Sequence, residues 1–256
     1  MLDLHTHILH GLDDGARSLE DSVALARAAV ADGIRLLAAT PHVRDDYPTQ
    51  PSEMERLVAE LRQVLAAEGI PLEVRTGGEI ALDRLGILEP EELARFGLGG
   101  NPHYLLLEFP YAGWPLDLPT RIFELGARRI TTVLAHPERN PEVQADPHRL
   151  RPLVQQGALV QVTSASLDGR LGRTAQTTGS RLLELELAHL IASDAHAPDV
   201  RAVGMRAASA AVGDADLARW LTVDVPAAIV ADDRIPERPA SRRRRRFLPR
   251  RRDGQP

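Results

Sequence analysis

Asp3-Leu4-His5-Thr6-His7 begins the chain as a short apolar strand that ends in two histidines. Side chains two positions apart on a strand lie on the same face, so the two imidazoles point the same way. Such a pair is one way to build a metal site, although lone histidines are more often structural. A metal centre therefore requires that the rest of the chain supply further ligands.

The remainder of the chain alternates between strand and helix patterns. We expect strands at 34–40, 73–80, 104–108, 130–135, 158–162 and 190–193. We expect helices from Ser18, as N-cap, to Gly33 and at 52–68, 89–96, 117–127, 147–156, 174–188 and 199–212. About seven strand-helix units with short connections favour a closed or nearly closed α/β barrel over an open doubly wound sheet.

Length and composition limit the possible classes of protein. One α/β barrel accounts for most of the 256 residues, and we divide the chain into a single barrel domain, 1–235, and a tail, 236–256. The absence of cysteine excludes disulfides, thiolate zinc sites and any cysteine nucleophile. With no signal peptide and no apolar run of the roughly 20 residues that span a bilayer, we expect a cytoplasmic protein.

The C-terminal tail differs from the barrel in charge. Residues 240–256 carry eight arginines and one aspartate, a net charge of +7, whereas the preceding residues carry 23 arginines and 35 acids, a net charge of −12. We expect this arginine-rich tail to be disordered. It is either simply solvated or a contact for anionic lipid headgroups, nucleic acid or an acidic protein surface. For the acidic barrel itself we expect no nucleic-acid partner.

The ends of the predicted strands share one property, which is that nearly all carry a metal-binding side chain. In chain order these are His5 and His7, His42, Glu79, Glu108, His136, and Asp194 with His196. Taken singly, each has a structural alternative, such as a helix cap or a surface charge. Because the carboxyl ends of barrel strands meet on one face, the set as a whole predicts a metal centre there.

Seven motifs in this order resemble a known superfamily. They are Asp3-Leu-His-Thr-His7, Gly11-Leu-Asp-Asp-Gly15, Ala39-Thr-Pro-His42, Gly78-Glu79-Ile80, Leu107-Glu108-Phe109-Pro110, Ala135-His-Pro-Glu-Arg-Asn140 and Ala192-Ser-Asp-Ala-His196. Together they resemble the PHP superfamily of metal phosphoesterases, over roughly residues 1–230. Within it they are similar to the bacterial tyrosine-protein phosphatases associated with capsule and exopolysaccharide synthesis.

This resemblance implies a distorted (β/α)7 barrel that holds three divalent metal ions, with manganese expected and iron, cobalt or zinc as alternatives. It assigns His5, His7, Glu79 and Asp194 to one ion, Glu79, Glu108 and His136 to a second, and Asp14, His42 and His196 to a third. Adjacent cations lower the pKa of a bridging water, so a bridging hydroxide is expected to attack the phosphoryl group directly.

Two arginines complete the predicted site. Arg139 follows the fifth strand, and Arg201 lies five residues past His196 at the start of a predicted helix. Guanidinium groups match phosphate oxygens in bidentate fashion, and both positions correspond to phosphate-binding arginines of the resembled family. Tyr111 and Trp114 follow the fourth strand and are candidates to contact an aromatic ring or to cover the rim.

Three functions remain open from the sequence. The first is a metal-dependent phosphatase of phosphotyrosine in proteins, with an autophosphorylated bacterial tyrosine kinase as substrate. The second is a phosphoesterase of the same superfamily acting on a small metabolite, such as histidinol phosphate or a sugar or nucleotide phosphate. The third is a non-catalytic regulatory barrel. Fold and ligands are common to the first two, because specificity depends on the pocket walls.

Overall fold

The computed structural model describes residues 1–197 and 201–240, and within them the strands that pair run parallel to one another. The strands are β1 Leu2–Thr6, β2 Leu36–Ala39, β3 His42–Val43, β4 Glu73–Arg75, β5 Glu79–Ala81, β6 Tyr104–Glu108, β7 Thr131–Ala135, β8 Leu159–Thr163 and β9 Leu190–Ala192. Strands β1, β6 and β8 are buried along their whole length, as parallel strands covered on both faces must be. The predicted α/β class is confirmed.

Helices separate most of the strands. They are α1 Leu19–Ala31, α2 Pro51–Ala67, α3 Pro90–Arg95, α4 Leu118–Ala127, α5 Pro141–Ala145, α6 Arg151–Gln155, α7 Ser164–Leu167, α8 Gly172–Glu184, α9 Met205–Val212, α10 Ala215–Arg219 and α11 Val225–Ala231. Short 3-10 helices cover Leu82–Gly86, Pro137–Arg139 and Pro147–Leu150, and Trp220–Asp224 forms a π-helical turn.

The strands form two sheets, in the orders β1-β2-β4 and β3-β5-β6-β7-β8-β9. The second predicted strand is followed, after residues 40–41, by the short strand β3, which was not predicted, and the third predicted strand divides at residues 76–78. In both cases the first part pairs in one sheet and the second part in the other. At the second break, a Cβ on Gly78 would lie 2.7 Å from the Phe96 ring, so only glycine fits there.

The described residues do not form a continuous closed ladder, as expected for a barrel. Within them the two sheets meet at a parallel bridge between Thr6 and Ala195, where His7 N donates to Ala195 O at 2.9 Å. The broken strands and this bridge nevertheless leave seven strand positions in the predicted chain order. Ligands at the carboxyl ends of both sheets can therefore lie close together.

Three helix predictions need correction. The helix predicted at 199–212 begins only at Met205, after Gly204 with a φ of 61°, so Arg201 lies in a loop. The helix at 147–156 is divided because Pro152 lacks the amide hydrogen that a continuous helix would require. The helix at 174–188 ends at Glu184, since Glu186 adopts a φ of 61°. Helix α1 begins as predicted, with the Ser18 side chain accepting from Asp21 N.

The described chain runs into the first residues of the predicted tail. Trp220 Nε1 donates to Pro236 O, and Arg238 donates to Ala188 O and Leu183 O, so these residues pack against the predicted domain 1–235. The remaining tail, 241–256, lies outside the described residues, and its predicted disorder stays a prediction. In the part of the chain that is described, no helix is long and apolar enough to cross a membrane.

Candidate metal centre

The nine residues predicted as metal ligands lie together in the folded chain. They form four overlapping groups, and within each group the candidate donor atoms lie within 4.8 Å of one another. The groups are His7, Asp14, His42, His196; His5, Glu79, His136; His5, His7, Asp194; and His42, Glu79, Glu108. Eight of the nine side chains are buried, whereas 42% of the Asp14 side chain is exposed. The centre is thus open to solvent on the side of Asp14.

Glu79 occupies the middle of the centre. Its Oε1 lies 2.8 Å from His136 Nε2, and its Oε2 lies 3.0 Å from His42 Nδ1 and 3.3 Å from His5 Nε2. The carboxylate is completely buried. Imidazoles on three sides of one buried carboxylate are the arrangement required of a bridging ligand.

The opening histidine pair directs both Nε2 atoms to one point. His5 Nε2 and His7 Nε2 are 3.2 Å apart. Asp194 Oδ1 lies 3.4 Å from His5 Nε2 and 3.3 Å from His7 Nε2. On the other side of the centre, His196 Nε2 lies 3.2 Å from Asp14 Oδ1. The residues predicted for the third ion therefore lie together, with His7 beside them, whereas Glu108 groups with His42 and Glu79 and not with His136.

Unsatisfied polar atoms test whether these residues fit metal ions. Among the described residues, four buried ligand atoms face other ligand atoms at 3.0–3.3 Å but form no well-aligned hydrogen bond: Glu79 Oε2, Asp194 Oδ1, His42 Nδ1 and His196 Nε2. An unpaired polar atom in a buried site costs about 1–3 kcal/mol. Divalent cations at this centre would satisfy all four atoms, so the residues fit the metals that the sequence implies.

Two residues missed by the sequence reasoning hold the histidine rings. Asp13 Oδ2 lies 2.7 Å from His7 Nδ1 and accepts from His42 N, while Gln161 Oε1 lies 3.1 Å from His5 Nδ1. Each acceptor keeps the ring proton on Nδ1 and leaves Nε2 free for a cation. A sequence signal existed for both, since Asp13 precedes a predicted ligand and Gln161 is a polar residue inside an apolar strand.

Backbone conformation helps to aim two of the ligands. His136 and Asp194 adopt left-handed backbone angles, with φ of 38° and 53°, one and two residues after the ends of their strands. Non-glycine residues adopt this conformation at a cost of order 1–3 kcal/mol, which is characteristic of functional sites. The turn at His136 also begins the 3-10 helix Pro137–Arg139 and so directs Arg139 back toward the centre.

The charges of the centre shift the pKa values of its members. Burial alone would lower the pKa of His5, but the charges of Glu79 and Asp194 raise it. Burial raises the pKa of Glu108, and the nearby charge of Glu79 adds to the rise. Despite its burial, Asp194 has a pKa well below the usual range because His5 and other cationic neighbours surround it. Metal ions would displace protons from such a cluster.

Both predicted arginines contact the same carboxylate oxygen. Arg139 Nη1 lies 2.7 Å and Arg201 Nη2 lies 2.5 Å from Asp194 Oδ2, on the oxygen opposite the one that faces His5 and His7. A third arginine, Arg44, was not predicted, and its Nη1 lies 3.0 Å from Glu108 Oε1. Three guanidinium groups therefore border the centre, two of them at the Asp194 edge.

The two predicted aromatic residues have different surroundings. The Tyr111 ring stacks nearly parallel on His136, with centroids 5.8 Å apart, and the residue is 45% exposed. Trp114 instead packs against Phe109 and under Arg149, away from the centre. Of the two, Tyr111 is the residue that contacts a predicted ligand.

Comparison with known proteins agrees with this geometry. The chain matches, over residues 1–230, the family described as capsular polysaccharide synthesis, CpsB/CapC. Tyrosine-protein phosphatase YwqE of Bacillus subtilis is 40% identical over 198 residues, which is 77% of each chain. Tyrosine-protein phosphatase CpsB of Streptococcus pneumoniae is 28% identical over 246 residues, 92% of this chain and 100% of the relative.

The fold has a match among solved structures as well. A structure from the crystallographic work on YwqE from Bacillus subtilis and CpsB from Streptococcus pneumoniae, which that work calls metal-dependent tyrosine phosphatases, superposes with a TM-score of 0.85. The sequences are 33% identical, and the match covers 94% of this chain and 100% of the other. By sequence and by fold, the chain belongs to the CpsB/CapC family of capsular polysaccharide synthesis.

Proposed function

We propose that this protein is a metal-dependent tyrosine-protein phosphatase, which hydrolyses phosphotyrosine in proteins. The observation that carries the proposal is the convergence of nine imidazole and carboxylate ligands beside two arginines on Asp194. Ligands of this kind hold metal ions, and guanidinium groups hold phosphate. The names of the relatives support the choice of a tyrosyl substrate.

We assign three divalent ions to the centre. His5, His7, Glu79 and Asp194 would hold the first, Glu79, Glu108 and His136 the second, and Asp14, His42 and His196 the third. Mixed imidazole and carboxylate ligands suit manganese, and also iron, cobalt or zinc. When bound, such ions supply a nucleophile from water near neutral pH and neutralise phosphoryl oxygens.

The protein's own groups position the phosphate. Arg139 and Arg201 approach the centre from the Asp194 edge, where their forks can bind the equatorial phosphoryl oxygens and stabilise the charge that develops on them. Asp194 holds both guanidinium groups through one oxygen and so fixes their orientation before substrate binds. We expect direct displacement by water and no phosphoenzyme, because the chain has no cysteine and its candidate aspartates are committed to the metal ions.

The tyrosyl leaving group makes little demand on the enzyme. A phenolate has a conjugate acid with a pKa near 10, so it leaves with less protonation than an alkoxide requires. Tyr111 lies at the mouth of the centre and offers an apolar ring edge beside the leaving group. The site is therefore suited to aryl phosphates, and we assign no residue as a general acid.

We further propose the partners that this activity implies. The substrate is a tyrosine-phosphorylated protein, in the first place an autophosphorylated bacterial tyrosine kinase of polysaccharide synthesis. The tail, with its net charge of +7 over residues 240–256, would bring the enzyme to an anionic membrane surface. The cytoplasmic location stays a prediction.

A substrate panel tests the proposal. Purified protein, loaded with one metal at a time, is assayed on a phosphotyrosyl peptide, a phosphoseryl peptide, histidinol phosphate and sugar phosphates, with the His5→Ala variant as control. We expect metal-dependent release of phosphate that is fastest from the phosphotyrosyl peptide. Faster turnover of a small metabolite would favour the alternative phosphoesterase, and equal rates in both proteins would refute the site.

A further inference from the structure

The loop that carries Arg201 is held by its backbone carbonyls. Three consecutive carbonyls each accept one hydrogen bond: Arg201 O from His196 N at 3.1 Å, Ala202 O from Arg170 Nη1 at 2.8 Å and Val203 O from Ser164 Oγ at 2.6 Å. Because α9 begins only at Met205, no helix fixes this loop. Its position therefore depends on the side chains that bind it.

Arg170 is the most constrained of these anchors. Its Nε donates to Asp168 Oδ2 at 2.8 Å and its Nη2 to Ser164 Oγ at 3.4 Å, in addition to the bond from Nη1 to Ala202 O. All three nitrogens of the guanidinium group thus have acceptors within the protein. Arg170 is committed to the loop, and phosphate binding is not its role.

Gly204 shows how closely the guanidinium group approaches the loop. A Cβ at this position would overlap Arg170 Nη2, and the residue has a φ of 61°, which glycine adopts without strain. The sequence therefore leaves space for Arg170 at the point where the loop turns into α9.

We propose that Arg170 is a positioning residue for Arg201, and that it holds the Arg201 guanidinium group at the phosphate site by fixing the carbonyl of Ala202. The inference rests on the proposed function in one respect, which is that Arg201 binds the phosphoryl group. Arg170 binds the carbonyl of Ala202, the residue after Arg201, so its effect on Arg201 passes through the backbone. A misplacement of about 1 Å in a catalytic group is sufficient to lower a rate by roughly 100-fold.

A double-mutant cycle between Arg170→Ala and Arg201→Ala tests this coupling. It is measured by hydrolysis of p-nitrophenyl phosphate and by calorimetric binding of inorganic phosphate to the manganese-loaded protein. We expect Arg170→Ala to lower kcat/KM about tenfold and Arg201→Ala about 100-fold, with the double variant no worse than Arg201→Ala. If the two single losses in kcat/KM multiply in the double variant, the proposal is overturned. It is also overturned if Arg170→Ala binds phosphate as the wild type does.

Two further variants distinguish positioning from loss of structure or charge. Arg170→Lys keeps the positive charge but lacks the forked guanidinium group, so we expect a rate between those of the wild type and Arg170→Ala. Arg173→Ala removes an exposed arginine in the first turn of α8 and should match the wild type. If Arg170→Ala does not fold, Ser164→Ala replaces it in the cycle, since it removes the bond to Val203 O and the long contact with Arg170 Nη2 but keeps the bond from Arg170 to Ala202 O.

The outcomes also separate this inference from the proposed function. A wild type that binds phosphate but releases none from p-nitrophenyl phosphate or a phosphotyrosyl peptide would refute the phosphatase, while the binding cycle would still test Arg170. A wild type that hydrolyses both substrates, with Arg170→Ala equally active, would refute the positioning role alone.

Discussion

Replacement of Asp13 by asparagine is expected to weaken metal binding without removing a ligand. The Asp13 carboxylate accepts from His42 N and Gly15 N, each at 2.9 Å, and lies 2.7 Å from His7 Nδ1. An asparagine has one acceptor oxygen and an amide group that only donates, so the amide group faces a donor in either orientation: His7 Nδ1 and His42 N in one, Gly15 N in the other. Both orientations also lose the carboxylate charge that holds the ring proton of His7 on Nδ1 and so leaves Nε2 facing the centre.

The magnitude follows from the kind of contact that is lost. Changes to the carboxylate behind a metal-bound histidine typically lower metal affinity about 10–100-fold, which corresponds to about 1.4–2.7 kcal/mol. We expect this loss for Asp13→Asn in a calorimetric titration with Mn²⁺, together with a reduced number of ions retained on dialysis. The nearly isosteric side chain should leave the fold intact.

The matched control is Asp117→Asn, which changes the same functional group at a surface position 60% exposed. We expect this variant to bind metal as the wild type does. An Asp13→Asn protein with wild-type affinity would show that Asp13 does not orient His7, and the same loss in both variants would point to a nonspecific effect of charge.

Three further predictions concern other parts of the molecule. Arg139→Ala should lower kcat/KM on p-nitrophenyl phosphate about 100-fold and leave metal content unchanged, because the guanidinium group binds phosphate. Burial and the charge of Arg238 lower the pKa of His189 to about 4. The neutral side chain therefore contributes roughly 3 kcal/mol to the unfolding free energy above pH 6.5, and this contribution is lost as the pH falls towards 4. His189→Gln should lose less unfolding free energy than the wild type between pH 7.5 and 5. Gly78→Ala should lower that free energy by about 1–3 kcal/mol in urea denaturation, through overlap with Phe96.

Each of these predictions has a contradicting result. Loss of metal from Arg139→Ala would assign the arginine a structural role. A His189→Gln variant with the same dependence on pH as the wild type would place the titrating group elsewhere. A Gly78→Ala protein of wild-type stability would mean that the Phe96 ring moves without cost.

The sequence predicted which side chains lie together at the centre because each follows a local pattern. Glu108 ends an apolar run and His136 follows one directly, while His42 and Glu79 come a few residues after such runs, and parallel strands end on one face. For the same reason the chain order of the strands was correct. These features depend on neighbours in sequence, which is the information that a single chain provides.

Features that depend on distant neighbours were not predictable. Gln161 contacts His5 across 156 positions, and Arg170 contacts Ala202 across 32, so no local pattern reports either bond. The separation of β3 from β2 and the division of the third predicted strand depend on how the sheets pair, and the start of α9 depends on side chains that hold the preceding carbonyls. Tertiary contacts of this kind override helix and strand propensities.

The most direct test of the metal centre is phosphate release from a phosphotyrosyl peptide by one preparation in three states: as purified, after chelation and dialysis, and after addition of Mn²⁺ with the bound ions counted. We predict that chelation abolishes release and that Mn²⁺ restores it as the centre fills, with His5→Ala inactive throughout. Undiminished release from the metal-free protein, or restoration in His5→Ala equal to that of the wild type, would contradict the assignment of these residues as the catalytic metal centre.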